Sequence, residues 1–181
     1  MRVLVKRVAE ASVEVAGEIV GKIGRGLLVY LGVGRGDDLQ EAQWLADKII
    51  GLRIFPDQND KMNRDVKNVD GSLLVISQFT LFGDASSGKR PSFTEAMPPE
   101  PAARIYEDFV GYLRAQNVPV ETGRFGADMK VYSLNDGPIT LMIDSPAERA
   151  TRNPGKCAQL STAGSNVELH PEKSGGAQAP G

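Results

Sequence analysis

The chain has 181 residues, 41% of them hydrophobic, which suffices for one packed domain and a tail. With 21 Lys and Arg against 23 Asp and Glu the net charge is −2, which argues against a broad cationic surface for long nucleic acid but not against a small basic mouth. One cysteine, Cys157, and one histidine, His170, rule out an intrachain disulfide and a cysteine zinc site, and no apolar run approaches membrane-spanning length.

The opening Met1–Ala11 interrupts its apolar residues with Lys6, Arg7 and Glu10 and lacks the unbroken core of a secretion signal, so a cytoplasmic location is expected. Residues 2–24 alternate apolar and polar positions, the period of half-buried strands, with Ala16-Gly17 as a hairpin turn. Leu27–Val33 is almost continuously apolar, as in a strand covered on both faces. Asp37 and Asp38 offer N-cap oxygens, with Glu41 three residues beyond Asp38, and Leu39, Ala42, Leu45, Ala46, Ile49 and Leu52 recur at helical spacing, predicting a helix over 38–52.

A long polar loop is expected over 56–71, a second buried strand over Ser72–Leu81, and a Gly/Ser/Lys/Arg loop over Gly83–Ser92. Pro98, Pro99 and Pro101 crowd a helix start, where a missing N–H costs little, and Ala102, Ile105, Tyr106, Phe109, Val110 and Leu113 continue that helix. Three late strands are predicted at about 118–124, 129–134 and 138–144. After Pro146 the pattern stops, and 147–181, rich in Gly, Pro, Ser and Ala, reads as a disordered tail behind a domain spanning 1–146. The chain order is ββ-(βα)2-βββ, an α/β class. Two helices cannot cover both faces of so much sheet, so the second face is expected to pack on more sheet or on another subunit.

Several motifs invite a chemical reading. Gly32-x-Gly34-x-Gly36, with Asp57 downstream, superficially matches a dinucleotide fingerprint, but Asp37 stands where the third glycine belongs and would face a pyrophosphate. A turn capped by Asp37 and Asp38 is the better reading, and Arg35-Gly36-Asp37 is likewise a turn. Cys157 and His170 lie in the tail, without packing to hold a nucleophile and base in reach. The region 1–146 therefore works without imidazole, thiolate or a histidine-bound metal; no cofactor and no metal site are expected.

Ser77-Gln78-Phe79-Thr80-Leu81 gathers three hydrogen-bonding side chains where an apolar strand stops. Lys89-Arg90-Pro91-Ser92-Phe93 sets two cations beside an aromatic ring, a mixture suited to a single-stranded nucleotide end. Asn135-Asp136-Gly137-Pro138-Ile139-Thr140 lies between apolar strands, and its local composition favours a turn; an X-Pro bond there can also be cis.

Ser77–Thr80 and Asn135–Thr140 resemble the two hallmark motifs of the D-aminoacyl-tRNA deacylase family, Ser-Gln-Phe-Thr and Asn-x-Gly-Pro-Val-Thr, with Ile139 in place of valine. The opening Met1–Val33, Arg90–Phe93 and Thr122–Met129 are similar to it as well, over roughly residues 1–145. The resemblance implies a homodimer with helix/sheet/sheet layering and a mixed sheet. It implies a pocket floored by Ser77, Gln78, Phe79 and Thr80, into which a cis Gly137-Pro138 of the other subunit enters. Arg7 resembles the arginine that holds the Gly-Pro carbonyls, and Met129 a pocket-lining residue.

The implied substrate is the 3′ end of a D-aminoacyl-tRNA, contacted by Lys89, Arg90 and Phe93, with no DNA and no membrane partner. The ester can be cleaved with help from the neighbouring ribose hydroxyl, the protein stabilising the oxyanion with N–H groups near Phe79 and Thr80; Thr80 as nucleophile is the older alternative. Selection by exclusion of an L side chain leaves glycyl-tRNA as a second expected substrate. A non-catalytic module that binds a tRNA end is the rival reading.

Overall fold

The computed structural model describes residues 1–146, which form one compact unit. The predicted tail over 147–181, with Cys157 and His170, lies outside the described residues. No helix among the described residues is long and apolar enough to cross a membrane.

The elements follow the order β1 (Arg2–Val15), β2 (Glu18–Ile23), β3 (Gly26–Gly32), α1 (Leu39–Ile50), β4 (Phe55–Pro56), β5 (Met62–Arg64), β6 (Ser72–Ser77), α2 (Pro99–Ala115), β7 (Val120–Thr122) and β8 (Lys130–Asp144). Where the sequence pattern is local, the elements form as it predicts. Ala16-Gly17 turns β1 into β2, both residues at positive φ. Asp38 caps α1 through Gln40 N–H and Glu41 N–H, and the Glu41 carboxylate accepts from Asp38 N–H, completing the box. α2 starts on Pro98 and Pro99, where the ring loses no intrahelical bond.

The main sheet is mixed. β3, β6 and β7 run parallel, joined through α1 and α2, while β1 runs antiparallel to β3. Along one edge of β1, residues 2–8 pair with β3 and 11–15 with β2; along the other edge lies β8. The apolar runs of β3 and β6 are buried on both faces, and their side chains sort by parity. Leu27, Val29, Leu31, Leu73 and Val75 join Leu45, Ile49, Phe109 and Leu113 of the helices. Leu28, Leu74 and Ile76 join Val8, Val13 and Ile23 in a second cluster on the opposite face. Over that face β2 comes so near that a Cβ on Gly21 would lie 2.6 Å from the Thr122 carbonyl.

Three expectations need correction. The loop predicted over 56–71 contains β5, paired antiparallel with β4, and a 3-10 turn at Lys67–Val69, because Asp57 and Asp65 hold nearby N–H groups with their side chains. The strand predicted over Ser72–Leu81 ends at Ser77. Gln78 N–H still bonds the Leu31 carbonyl, but β7 reaches only as far as Val75, and Phe79–Phe82 winds into a 3-10 turn.

The strands predicted at 129–134 and 138–144 are one strand, β8, so the end of the chain order is ββ instead of βββ. Its two halves both pair with β1 in the same direction: Lys6 faces Thr140 and Val8 faces Asn135. Asp136, Gly137, Pro138 and Ile139 therefore stand opposite Arg7 alone, as a wide bulge and not the reversing turn that the local composition favours. Proline, with no N–H for the ladder, is tolerated at such a bulge.

Candidate active site

Two constellations stand on this frame. The first grows from the end of β6. Leu73–Ile76 are buried between the two clusters, whereas Ser77 and Gln78 are half-buried and Phe79 and Thr80 are exposed. The 3-10 turn is held from behind. Phe82 packs on Gly32 and Gly34; a Cβ on Gly34 would meet the ring at 2.7 Å. Arg2 donates to the Leu81 carbonyl at 2.9 Å and lies 5.1 Å over the Phe82 ring. The glycines of the Gly32-x-Gly34 motif thus make room for an aromatic ring. Asp37 is occupied by Gly34 N–H and the Met1 amino group, each at 2.6 Å.

The fixed turn leaves the N–H groups of Phe79 and Thr80 without an acceptor among the described residues, as expected of the first donors of a helical turn. The Gln78 amide donates to the Thr80 hydroxyl. Phe79 meets Phe93 edge-to-face, with ring centres 5.2 Å apart.

Beside this turn opens a cavity of about 760 Å³. Ser77, Gln78, Phe79, Phe93 and Met129 line it. Thr80, Lys89, Arg90, Arg7, Gly137 and Pro138 do not. Lys89 and Arg90 sit on an exposed loop closed by the pairing of Asp84 with Ser92.

The cavity also takes in residues that the motifs missed, among them Arg35, Met97, Tyr106, Phe125 and Asp128. Helical spacing marked Tyr106 only as core; its buried hydroxyl donates to the Val75 carbonyl at 2.9 Å, and burial pushes its pKa up to about 12. It is a neutral wall near neutral pH. Met129 is positioned by a glycine: a Cβ on Gly123 would fall 2.5 Å from its sulfur. No cluster of three or more His, Cys, Asp or Glu suited to a metal ion occurs among the described residues.

The second constellation is the bulge of β8. Asn135 and Thr140 close its neck. With its amide nitrogen toward the Arg7 and Ile139 carbonyls, Asn135 donates at 2.9 and 3.2 Å and accepts from the Thr140 hydroxyl at 3.1 Å. The first and last residues of the motif are thus a latch that pins the bulge to β1. The Gly137-Pro138 bond is cis, and Gly137 has φ +114°, a conformation that L side chains rarely adopt.

Arg7, only 8% exposed, braces the bulge from beneath. Its Nη1 donates to the Ile54 carbonyl at 2.6 Å, and its Nε lies 3.0 Å from the Asp136 carboxylate without an N–H aimed at an acceptor. A Cβ on Gly137 would meet Nη2 at 2.8 Å. The resemblance gave Arg7 the Gly-Pro carbonyls as partners. Its polar contacts are Ile54 and Asp136 instead, because it lies directly opposite the bulge and runs alongside it.

Within one chain the two constellations do not meet. β8 reaches the cavity only through Val131, at its start, while Gly137 and Pro138 farther along the strand do not line it. Gly137 and Pro138 face outward, exposed, on a strand whose Tyr132, Leu134 and Met142 are each more than half exposed.

A family model described as D-Tyr-tRNA(Tyr) deacylase matches residues 4–144. The chain is 57% identical over 149 residues to a D-aminoacyl-tRNA deacylase of Chloroherpeton thalassium, covering 82% of this chain and 98% of that protein. It is 54% identical over 145 residues to a D-aminoacyl-tRNA deacylase of Thermotoga petrophila, covering 80% and 97%. Among solved structures it is similar to the c-Myc DNA Unwinding Element Binding Protein, with a TM-score of 0.77 at 40% identity, covering 81% of this chain and all of that one.

Proposed function

Because this chain belongs to the D-Tyr-tRNA(Tyr) deacylase family, we propose that it hydrolyses the ester of D-aminoacyl-tRNA at a site that two copies of the chain build together. The observation that carries the composite site is the separation just described. The cavity has Ser77, Gln78 and Phe79 but no Gly137-Pro138, while the outward-facing bulge sits on a strand with unburied apolar side chains. A second copy, docked through β8, buries those side chains and brings its bulge to the cavity. The helix/sheet/sheet layering then has its outer sheet face covered by the partner.

In this reading water adds to the ester carbonyl, the ribose oxygen leaves, and the products are a free D-amino acid and a tRNA with both terminal hydroxyls restored. The unpaired N–H groups of Phe79 and Thr80 receive the charge that develops on the carbonyl oxygen. Thr80 makes a poor nucleophile: its oxygen already accepts from Gln78, and no side chain among the described residues accepts its proton. The ribose hydroxyl next to the ester is the better proton relay.

The rigid Gly137-Pro138 carbonyls bind the substrate amino group and occupy the space of an L side chain. Glycyl-tRNA, with no side chain to exclude, is hydrolysed too. Phe93 meets the terminal nucleotide, and Lys89 and Arg90 lie farther along the approaching strand. A substrate of this kind places the enzyme in the cytoplasm. The net charge of −2 gives no broad cationic surface for duplex DNA.

Subunit complementation tests the composite site. Ser77→Phe obstructs the cavity and Gly137→Ala crowds Arg7, so each variant alone loses D-tyrosyl-tRNA hydrolysis. Mixed, dissociated and reassorted, the two give heterodimers with one intact site each, and the mixture regains about a quarter of normal activity by the two-fold arithmetic. A mixture as inactive as its parents sinks the shared site. L-tyrosyl-tRNA must remain intact throughout, and a terminal 2′-deoxyadenosine must slow the normal enzyme.

A further inference from the structure

We propose that Arg35 binds the phosphodiester that joins the last two nucleotides of the tRNA, at the rim of the cavity. The inference rests on the deacylase reading and assigns a contact that neither hallmark motif contains. Among the described residues that line the cavity, Arg35 is the only cation and Asp128 the only carboxylate. Arg35 is exposed whereas Leu31 and Ile76 deeper in the cavity are buried, which puts it at the mouth. A nucleotide whose sugar enters the cavity leaves its 5′ phosphate at such a mouth.

The arginine is held ready for that task. Residues 33–35 are zipped to 94–97: Gly34 pairs with Ala96, Arg35 N–H bonds the Glu95 carbonyl at 2.9 Å, and Met97 N–H bonds the Val33 carbonyl at 2.9 Å. The Arg35 Nε–H itself donates to the Thr94 carbonyl. That bond fixes the guanidinium plane and leaves four N–H donors on Nη1 and Nη2, with no ion pair to Arg35 among the described residues. A planar fork of unpaired donors matches two oxygens of one phosphate. Phe79 and Phe93, stacked edge-to-face, line the same cavity and supply apolar surface for the nucleotide. Lys89 and Arg90, by contrast, do not line the cavity.

The test compares two substrates that differ in the phosphate. D-tyrosyl-tRNA carries it; D-tyrosyl-adenosine, the ester on the bare nucleoside, does not. Arg35→Ala is expected to raise KM for the tRNA about tenfold more than for the nucleoside ester, with kcat for the tRNA kept. The salt dependence of tRNA binding should flatten by about 0.7 in its log–log slope, the contribution of one single-strand phosphate contact. Arg35→Lys, which keeps the charge but loses the fork, should recover part of the KM and the whole slope.

Equal losses on both substrates would mean that Arg35 only holds the 94–97 segment, and would overturn the inference, as would an unchanged KM for the tRNA. If Arg35→Ala is misfolded by circular dichroism, Arg35→Lys and Arg35→Gln decide by the same ratio of the two substrates. Failure of the unaltered protein to cleave D-tyrosyl-tRNA is a separate result, which overturns the deacylase reading itself.

Discussion

β6 and β8 carry the two halves of the proposed site, and they are opposites. β6 is six residues long, central in the sheet, with Leu73–Ile76 buried by the chain's own helices and strands. β8 is fifteen residues long, pairs only with β1, and has no fully buried residue. The turn after β6 is braced from behind by Phe82 and Arg2. The bulge of β8 is latched at its neck, by Asn135, Thr140 and Arg7, but its tip is bare. In the proposed site, therefore, a single chain finishes the floor and a second chain over β8 lends the selector. The proposal thus puts the rigid floor on the buried strand and the lent part on the exposed one.

The largest effect should come from spoiling the cover of β8. Leu134→Glu with Met142→Glu puts charges where each apolar side chain would contribute about 1.5–3 kcal/mol on burial. The protein should become monomeric by sedimentation while its circular dichroism is kept, and D-tyrosyl-tRNA hydrolysis should fall by about 10²-fold or more as the selector leaves the cavity. A monomer with full activity would break the contrast, since β6 would then suffice.

A smaller effect sharpens the other side. Gly123→Ala forces the Met129 sulfur toward the cavity beside β6 and should raise KM about fivefold, a coupling of roughly 1 kcal/mol. In a Met129→Ala background the same change should be much milder, because only the Ile76 methyl, 3.1 Å from the added Cβ, is left to give way. Additive losses in the double variant would mean that Gly123 acts through the backbone instead.

The smallest effect on activity is expected at Tyr106. Its pKa is raised by burial to about 12 from 10, so between those pH values the folded state keeps a proton that the unfolded chain releases. Stability contributed by that difference is full below pH 10 and is lost as the pH rises toward 12. Tyr106→Phe should remove this alkaline limb from urea midpoints measured between pH 9 and 12. It should cost about 0.5–1.5 kcal/mol near neutrality, by removing one of the two donors to the Val75 carbonyl and leaving it the Gly123 N–H. Loss of the enzyme's chemistry in this variant would contradict the neutral-wall role.

The legible parts of the sequence were those written within a few residues. The β1–β2 hairpin is stated by alternation around Ala16-Gly17, and α1 by Asp38, Glu41 and a 3.6-residue period. The start of α2 is stated by its prolines. The two motifs named the elements that carry the proposed site. They named only part of the cavity wall, since Arg35, Phe125 and Asp128 reach it from loops whose local composition says no more than turn.

What the sequence by itself determined was the kind of each element and the chemistry available, because helix period, caps and the absence of histidine and cysteine from residues 1–146 are properties of neighbours along the chain. Only the tertiary structure decided that Asn135–Thr140 bulges instead of reversing. The same six residues between partners of opposite direction would turn, and it is β1, more than a hundred residues earlier, that accepts both flanks in one direction. Only it decided that Gly32 and Gly34 serve Phe82, a contact across nearly fifty residues. Both outcomes are set by which surfaces meet after folding, and no local pattern encodes the identity of a distant neighbour.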